Sequence, residues 1–179
     1  MEMTRYGNRG QGLENMIETT NKQYQFKDIA TIQKIPTPIK VLDIDPRTGR
    51  IKNGFYEQKS TVDYTGVFKG KAISFDAKET KIETRFDLKN LKDHQYNYLK
   101  NWHNSGGISF LLVHFKTQDE FYYLPFKKLK EYEGYYNNKW NYQGRKSIPY
   151  NEFKKDWIIE SNGLVLIDYL SKLEELGVV

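Results

Sequence analysis

STVDYTGVFKGKAISFDAKETK, residues 60–81, decides the fold. Two runs that suit a pleated strand, 62–68 and 72–77, flank Lys69-Gly70, so the stretch predicts a hairpin with a two-residue turn. Counting outward from that turn, Phe68 faces Lys71, Asp63 faces Asp76 and Thr61 faces Lys78. Successive side chains on a strand alternate between faces. Thr61, Asp63, Asp76 and Lys78 therefore share one face, while Ile73, Phe75 and Ala77 point into an apolar layer.

As structure alone, that arrangement is unfavourable, because like charges directly opposite each other on a sheet repel. Protonation of one carboxyl relieves the repulsion, and so does a cation between the two. A hard divalent ion such as Mg²⁺ takes oxygen ligands and keeps several waters. Lys78 adds a fixed positive charge that can stabilise a phosphoryl transition state or help deprotonate an attacking water. The plainer reading is a hairpin with ordinary surface charges, since D…[DE]-x-K patterns also arise by chance in charged chains.

Outward from the hairpin, residues 12–26 repeat apolar positions (Leu13, Met16, Ile17, Tyr24) at helical spacing. A strand is expected over 29–35, stopped by Pro36-Thr37-Pro38. Strand-like pieces at 39–44 and 50–56 flank Asp45-Pro46-Arg47-Thr48-Gly49, which predicts a second hairpin with Arg47, Arg50 and Lys52 near its tip. Neither of its arms carries a long apolar run, so it is expected to protrude. A helix is expected over 91–103, a buried strand over 108–115 with a partner at 121–124, an irregular segment over 131–150 and a closing helix over 164–176. Residues 1–11 read as a flexible basic arm carrying Arg5 and Arg9. With no linker or repeat, 1–179 is expected to form one domain. The order of helices and strands predicts an α/β fold, with a mixed central sheet flanked by helices.

The chain has 179 residues, 38% of them hydrophobic and 15% aromatic, enough to build a core. A net charge of +5 suits a polyanionic partner, nucleic acid or an anionic membrane, and equally suits plain solubility. The absence of cysteine excludes disulfides, thiolate metal sites and a cysteine nucleophile. His94, His103 and His114 form no close pair, which argues against zinc. The amino-terminal residues lack the apolar core of a secretory signal, and the longest apolar run, 108–115, is too short to span a bilayer. The expectation is a cytoplasmic protein with no membrane partner.

Several blocks together resemble the RecU family of Holliday-junction resolvases. They are Asn8-Arg9-Gly10 leading to Leu13-Glu14, Asn21-Lys22-Gln23-Tyr24, and Lys34-Ile35-Pro36-Thr37-Pro38-Ile39. Ser60 to Val67 and Phe75 to Lys81 follow, then His94-Gln95 and Ile167-Asp168-Tyr169-Leu170. The likeness runs in order along nearly the whole chain. It implies a restriction-endonuclease-like fold, a homodimer, and Mg²⁺-dependent symmetric nicking of four-way DNA junctions, with Mn²⁺ able to substitute. By the same resemblance the metal ligands fall on Thr61, Asp63, Asp76 and Gln95, the catalytic carboxylates on Asp63 and Asp76, and the charge-stabilising lysine on Lys78. The 36–60 hairpin resembles the family's stalk, so Arg47, Arg50 and Lys52, with Arg9 on the arm, are expected to bind DNA. A recombinase or a branch-migration helicase is the further class of partner. Glu14 stands near this set, as either a solvated helix charge or an additional group at the metal.

One residue departs from the pattern: Asp76 stands where the family usually has Glu, and its carboxylate is one methylene shorter. Two alternatives follow. One is a junction-binding recombination protein of the same fold with weak or lost chemistry, and the other is a nuclease that cuts linear duplex.

Overall fold

The computed structural model describes residues 11–57, 61–138 and 141–179. The arm with Arg5 and Arg9, and Ser60 at the head of the quoted stretch, lie outside the described residues.

Helix α1 (Gln11–Phe26) buries Leu13, Ile17 and Tyr24, the apolar stripe of its sequence, and leads into strand β1 (Ala30–Lys34). Strands β2 (Ile39–Ile44) and β3 (Ile51–Tyr56) pair only with each other. Strands β4 (Tyr64–Phe68) and β5 (Lys71–Thr80) follow, joined at Lys69-Gly70, where both residues have positive φ (48° and 74°). That geometry matches the right-handed twist of the flanking strands, and a glycine adopts it without strain. The chain continues through β6 (Arg85–Asp87), α2 (Asp93–Asn104), β7 (Ile108–Phe115), β8 (Glu120–Pro125), α3 (Phe126–Lys130) and α4 (Glu133–Asn137). It ends with β9 (Ser147–Pro149), β10 (Ile158–Ile159) and α5 (Tyr169–Glu175).

The main sheet has the order β1-β4-β5-β7-β8-β10. Only β5 and β7 run parallel; the other neighbours are antiparallel. A parallel pair needs a crossover, and this one carries α2 over one face of the sheet. The sheet is therefore mixed and flanked by helices, as expected. Its two faces are sorted by the alternation of β7. Phe110 and Leu112 join Phe75, Tyr64, Ile17 and Tyr169 beneath α1 and α5. Leu111, Val113 and Phe115 join Leu91, Leu99, Tyr96 and Phe126 beneath α2 and α3. Gly66 lets β1 lie against β4, since a Cβ there would sit 2.2 Å from the Thr31 carbonyl oxygen.

Four sequence expectations are corrected. The β4–β5 ladder follows the expected register from Phe68↔Lys71 to Tyr64↔Phe75, but it stops there, so Thr61 has no ladder partner in Lys78. The chain bends at Asp63, whose carbonyl accepts the Ile35 N–H (2.8 Å), and Val62 turns into the cluster beneath α2. The closing helix covers only Tyr169–Glu175. Before it, Asn162 and Val165 bond each other, Gly163 has φ 61°, and Asp168 caps the helix by accepting the Ser171 N–H (3.3 Å). Residues 131–150 are more ordered than expected. Tyr136 stacks on Tyr96 of α2 (4.0 Å between ring centres), and Ile148 of β9 pairs with Phe86 of β6, both side chains buried. Helix α3, not expected at all, forms where Phe126 and Leu129 bury against the same cluster.

Candidate active site

Asp76 lies in the middle of β5, on the face that α2 covers, and is fully buried. The alternation that buries Ile73 and Phe75 beneath α1 and α5 turns Ser74 and Asp76 to the opposite face. Gln95 of α2 reaches down to it, its Nε2 donating to Asp76 Oδ1 (2.8 Å). The Gln95 Oε1 in turn accepts the backbone N–H of Lys92 (3.0 Å), which closes the amino-terminal end of α2. Asp76 Oδ2 is buried and is in ion-pair contact with Lys78. Lys78, two residues on and on the same face, is only 18% exposed at its side chain.

Asp63 reaches the site in a different way. Where the ladder has ended, its Oδ2 accepts the Ala77 N–H (2.9 Å), which pins the carboxylate against β5 one residue beyond Asp76. The two carboxyls interact, although not as the ladder pair that the sequence count implied. Burial pushes the Asp76 carboxyl up to about 7; Lys78 opposes that rise and Asp63 adds to it. The buried acid is thus held near neutrality with a second carboxylate beside it, an arrangement that a hard cation would relieve.

Asp63 and Lys78 open onto a cleft of about 560 Å³, lined also by Leu13, Glu14, Ala77, Glu79, Lys89, Asn90 and Lys92. Glu14 comes from the first turn of α1 and is paired with Lys34 (2.7 Å). Glu79 is paired with Lys116 (3.2 Å). Thr61 is half-buried and does not line the cleft. Among the described residues no three His, Cys, Asp or Glu side chains converge to form a metal cage. The donor set is two carboxylates, which fits an ion that keeps waters and shares substrate oxygens, as Mg²⁺ does. For Gln95 to be an oxygen ligand, its amide would have to release both of the bonds it makes here.

Arg47 and Arg50 flank the tip of the β2–β3 hairpin, with Lys52 on β3 in contact with Asp45 (3.9 Å). Asp45 shapes that tip: its Oδ1 accepts the Arg47 N–H (2.8 Å) and its backbone pairs with Arg50 and Gly49. All of the strand residues in this hairpin are exposed. Arg9 lies outside the described residues. Lys89, Asn90 and Lys92 were not picked out as cleft residues from the sequence. The legible signal was a polar stretch, K-N-L-K, bounded by apolar anchors at Leu88 and Leu91 just before a helix.

The family described as RecU: Recombination protein U matches residues 8–175. The chain is 43% identical over 176 residues to a protein of Oenococcus oeni named Holliday junction resolvase RecU, covering 96% of this chain and 87% of that one. It is 38% identical over 175 residues to the Holliday junction resolvase RecU of Staphylococcus aureus, covering 96% and 82%. A looser likeness is to the structure of Archaeoglobus fulgidus Hjc, a Holliday junction resolvase, with TM-score 0.43, 7% identity, and 78% and 90% of the two chains covered.

Proposed function

Because the chain belongs to the Recombination protein U family, we propose that it is an endonuclease that resolves four-way DNA junctions by paired, symmetric nicks supported by Mg²⁺. The observation that carries this reading is Asp63 and Asp76 side by side, with Lys78 on the buried acid and with Asp63 and Lys78 lining a cleft. When bound, Mg²⁺ would polarise the scissile phosphodiester and favour ionisation of the attacking water. Asp63 and Asp76 would hold one or two such ions, with Mn²⁺ an effective substitute, and Thr61 and Gln95 are the further oxygen donors in reach of a rearranged site. Lys78 would stabilise the charge that develops on the phosphoryl oxygens. Gln95 keeps the Asp76 carboxylate in place. Arg47, Arg50 and Lys52 on the hairpin, and Arg9 on the arm, would contact junction phosphates. A twofold dimer would set two such sites on opposed strands.

The test is purified protein with labelled junction and linear duplex in Mg²⁺. The native chain should cut the junction in preference to the duplex. Asp63→Asn and Lys78→Ala should each lower the rate by about 10²–10³ with the fold intact by circular dichroism. A folded native chain that cuts no junction would sink the catalytic claim. A second reading, junction binding with lost chemistry, draws its support from the short, buried Asp76. It predicts tight, salt-sensitive binding that survives Asp63→Asn and no metal-dependent product.

A further inference from the structure

The walls of the cleft differ in charge. Its lining from α1, Asp63 and β5 carries Glu14, Asp63 and Glu79 with the single cation Lys78, whereas its lining from the segment entering α2 carries Lys89, Asn90 and Lys92 and no acid. Two of the three acids already have a lysine partner, Glu14 the Lys34 that it shares with Glu18 and Glu79 Lys116, and neither of those lysines lines the cleft. The basic wall is less occupied. Lys89 makes only a long contact with Asp87 (3.6 Å), and no carboxylate among the described residues pairs with Lys92.

This wall is also rigidly mounted. Leu88 and Leu91 are fully buried beneath α2, so the residues between and after them, Lys89, Asn90 and Lys92, are turned out toward the cleft. The Leu88 carbonyl accepts from Tyr136 (3.2 Å), and its N–H donates to Lys146 (3.0 Å). Most telling is the link to the buried acid. The Lys92 N–H binds Gln95 Oε1, and the same amide donates to Asp76. One side chain thus ties the backbone of the basic wall to the buried carboxylate behind the cleft.

We propose that Lys89, Asn90 and Lys92 form a phosphate grip that holds the DNA backbone next to the scissile phosphate, opposite the carboxylates. The inference rests on the endonuclease reading and extends it to the wall that meets the cut strand. Two ammonium groups and an amide that can donate match the non-bridging oxygens of successive phosphates. Phosphate contacts position the strand without reading its sequence. The grip therefore acts on junction and duplex alike.

The test measures binding of labelled junction and of linear duplex in EDTA over a range of salt, so that no cleavage is needed. Lys89→Ala and Lys92→Ala should each weaken both ligands several-fold and reduce the slope of log affinity against log salt by about 0.9. The double variant should lose about twice that slope. Lys89→Arg with Lys92→Arg should restore it, and Lys27→Ala, beyond α1 and away from this cleft, should change nothing. Native chain that binds, with the double variant binding at an unchanged slope, overturns the grip and leaves the endonuclease reading standing. Native chain that binds neither DNA overturns both.

Discussion

The molecule contains two hairpins of similar length with opposite surroundings. The β4–β5 hairpin lies within the six-stranded sheet, with Phe75 stacked between Tyr64 and Phe110 (4.9 and 4.8 Å between ring centres) and fully buried. The β2–β3 hairpin has neither a third strand nor a layer on either face among the described residues, and Phe55 is 51% exposed. A lone two-stranded hairpin is marginal in water, so its order rests on cross-strand pairs and on the Asp45 turn. The difference teaches where each kind of chemistry can sit. Carboxylates that must be held to a fraction of an ångström belong on the strand that is packed on both faces. Cations that would contact junction DNA, as proposed for Arg47, Arg50 and Lys52, sit on the arm that is packed on neither.

The sharpest way to break that comparison is to cut the same side chain from each hairpin. Phe75→Ala should cost about 3–5 kcal/mol in denaturant unfolding, because it empties a fully packed site. Phe55→Ala should cost about 0.5 kcal/mol or less. If Phe55→Ala instead costs as much as Phe75→Ala, and more at higher protein concentration, then a second chain covers the hairpin in solution.

The buried acid gives the next effect. The Asp76 carboxyl ionises near pH 7 in the folded chain and near 4 in the unfolded one. Below pH 4 both forms are protonated and burial carries no charge penalty. As pH rises from 4 to 7 the unfolded chain ionises first, so stability falls, and above 7 the loss is complete. In EDTA, Asp76→Asn should therefore exceed the native chain in stability at pH 8 by about 4 kcal/mol, an advantage that shrinks toward pH 4. Equal stability of the two proteins at both pH values would show that the acid does not carry this penalty. The smallest effect belongs to the exposed hairpin. Replacing Arg47, Arg50 and Lys52 by Ala should weaken junction binding about tenfold and narrow the preference for junction over duplex, while the unfolding midpoint barely moves. Loss of duplex and junction binding in equal measure would remove the discriminating role from the hairpin.

Much of this was legible in residues 60–81 because two-strand pairing is local. With Lys69-Gly70 at the turn, each step outward is determined, and the count correctly ran from Phe68↔Lys71 to Tyr64↔Phe75. It failed beyond Tyr64, where Ile35, far off in sequence, takes the Asp63 carbonyl. The 131–150 segment was illegible for a related reason. Its tyrosines order only against α2, through contacts such as Tyr96 on Tyr136 that leave no periodic trace in the sequence. The closing helix was over-read because Leu164 and Leu166, though at suitable spacing, stay exposed while Asp168 starts the helix five residues late.

Alternation and turn chemistry, both properties of neighbouring residues, were enough for the sequence to determine the β4–β5 register as far as Tyr64 and that Lys78 shares the face of Asp76. Only the tertiary structure decided that Asp76 is sealed beneath α2, that Gln95 ties it to Lys92, and that Lys89 and Lys92 line one cleft with Asp63 and Lys78. The parallel β5–β7 crossover brings those groups together, and where a crossover lands depends on how two whole layers pack, which no local spacing encodes.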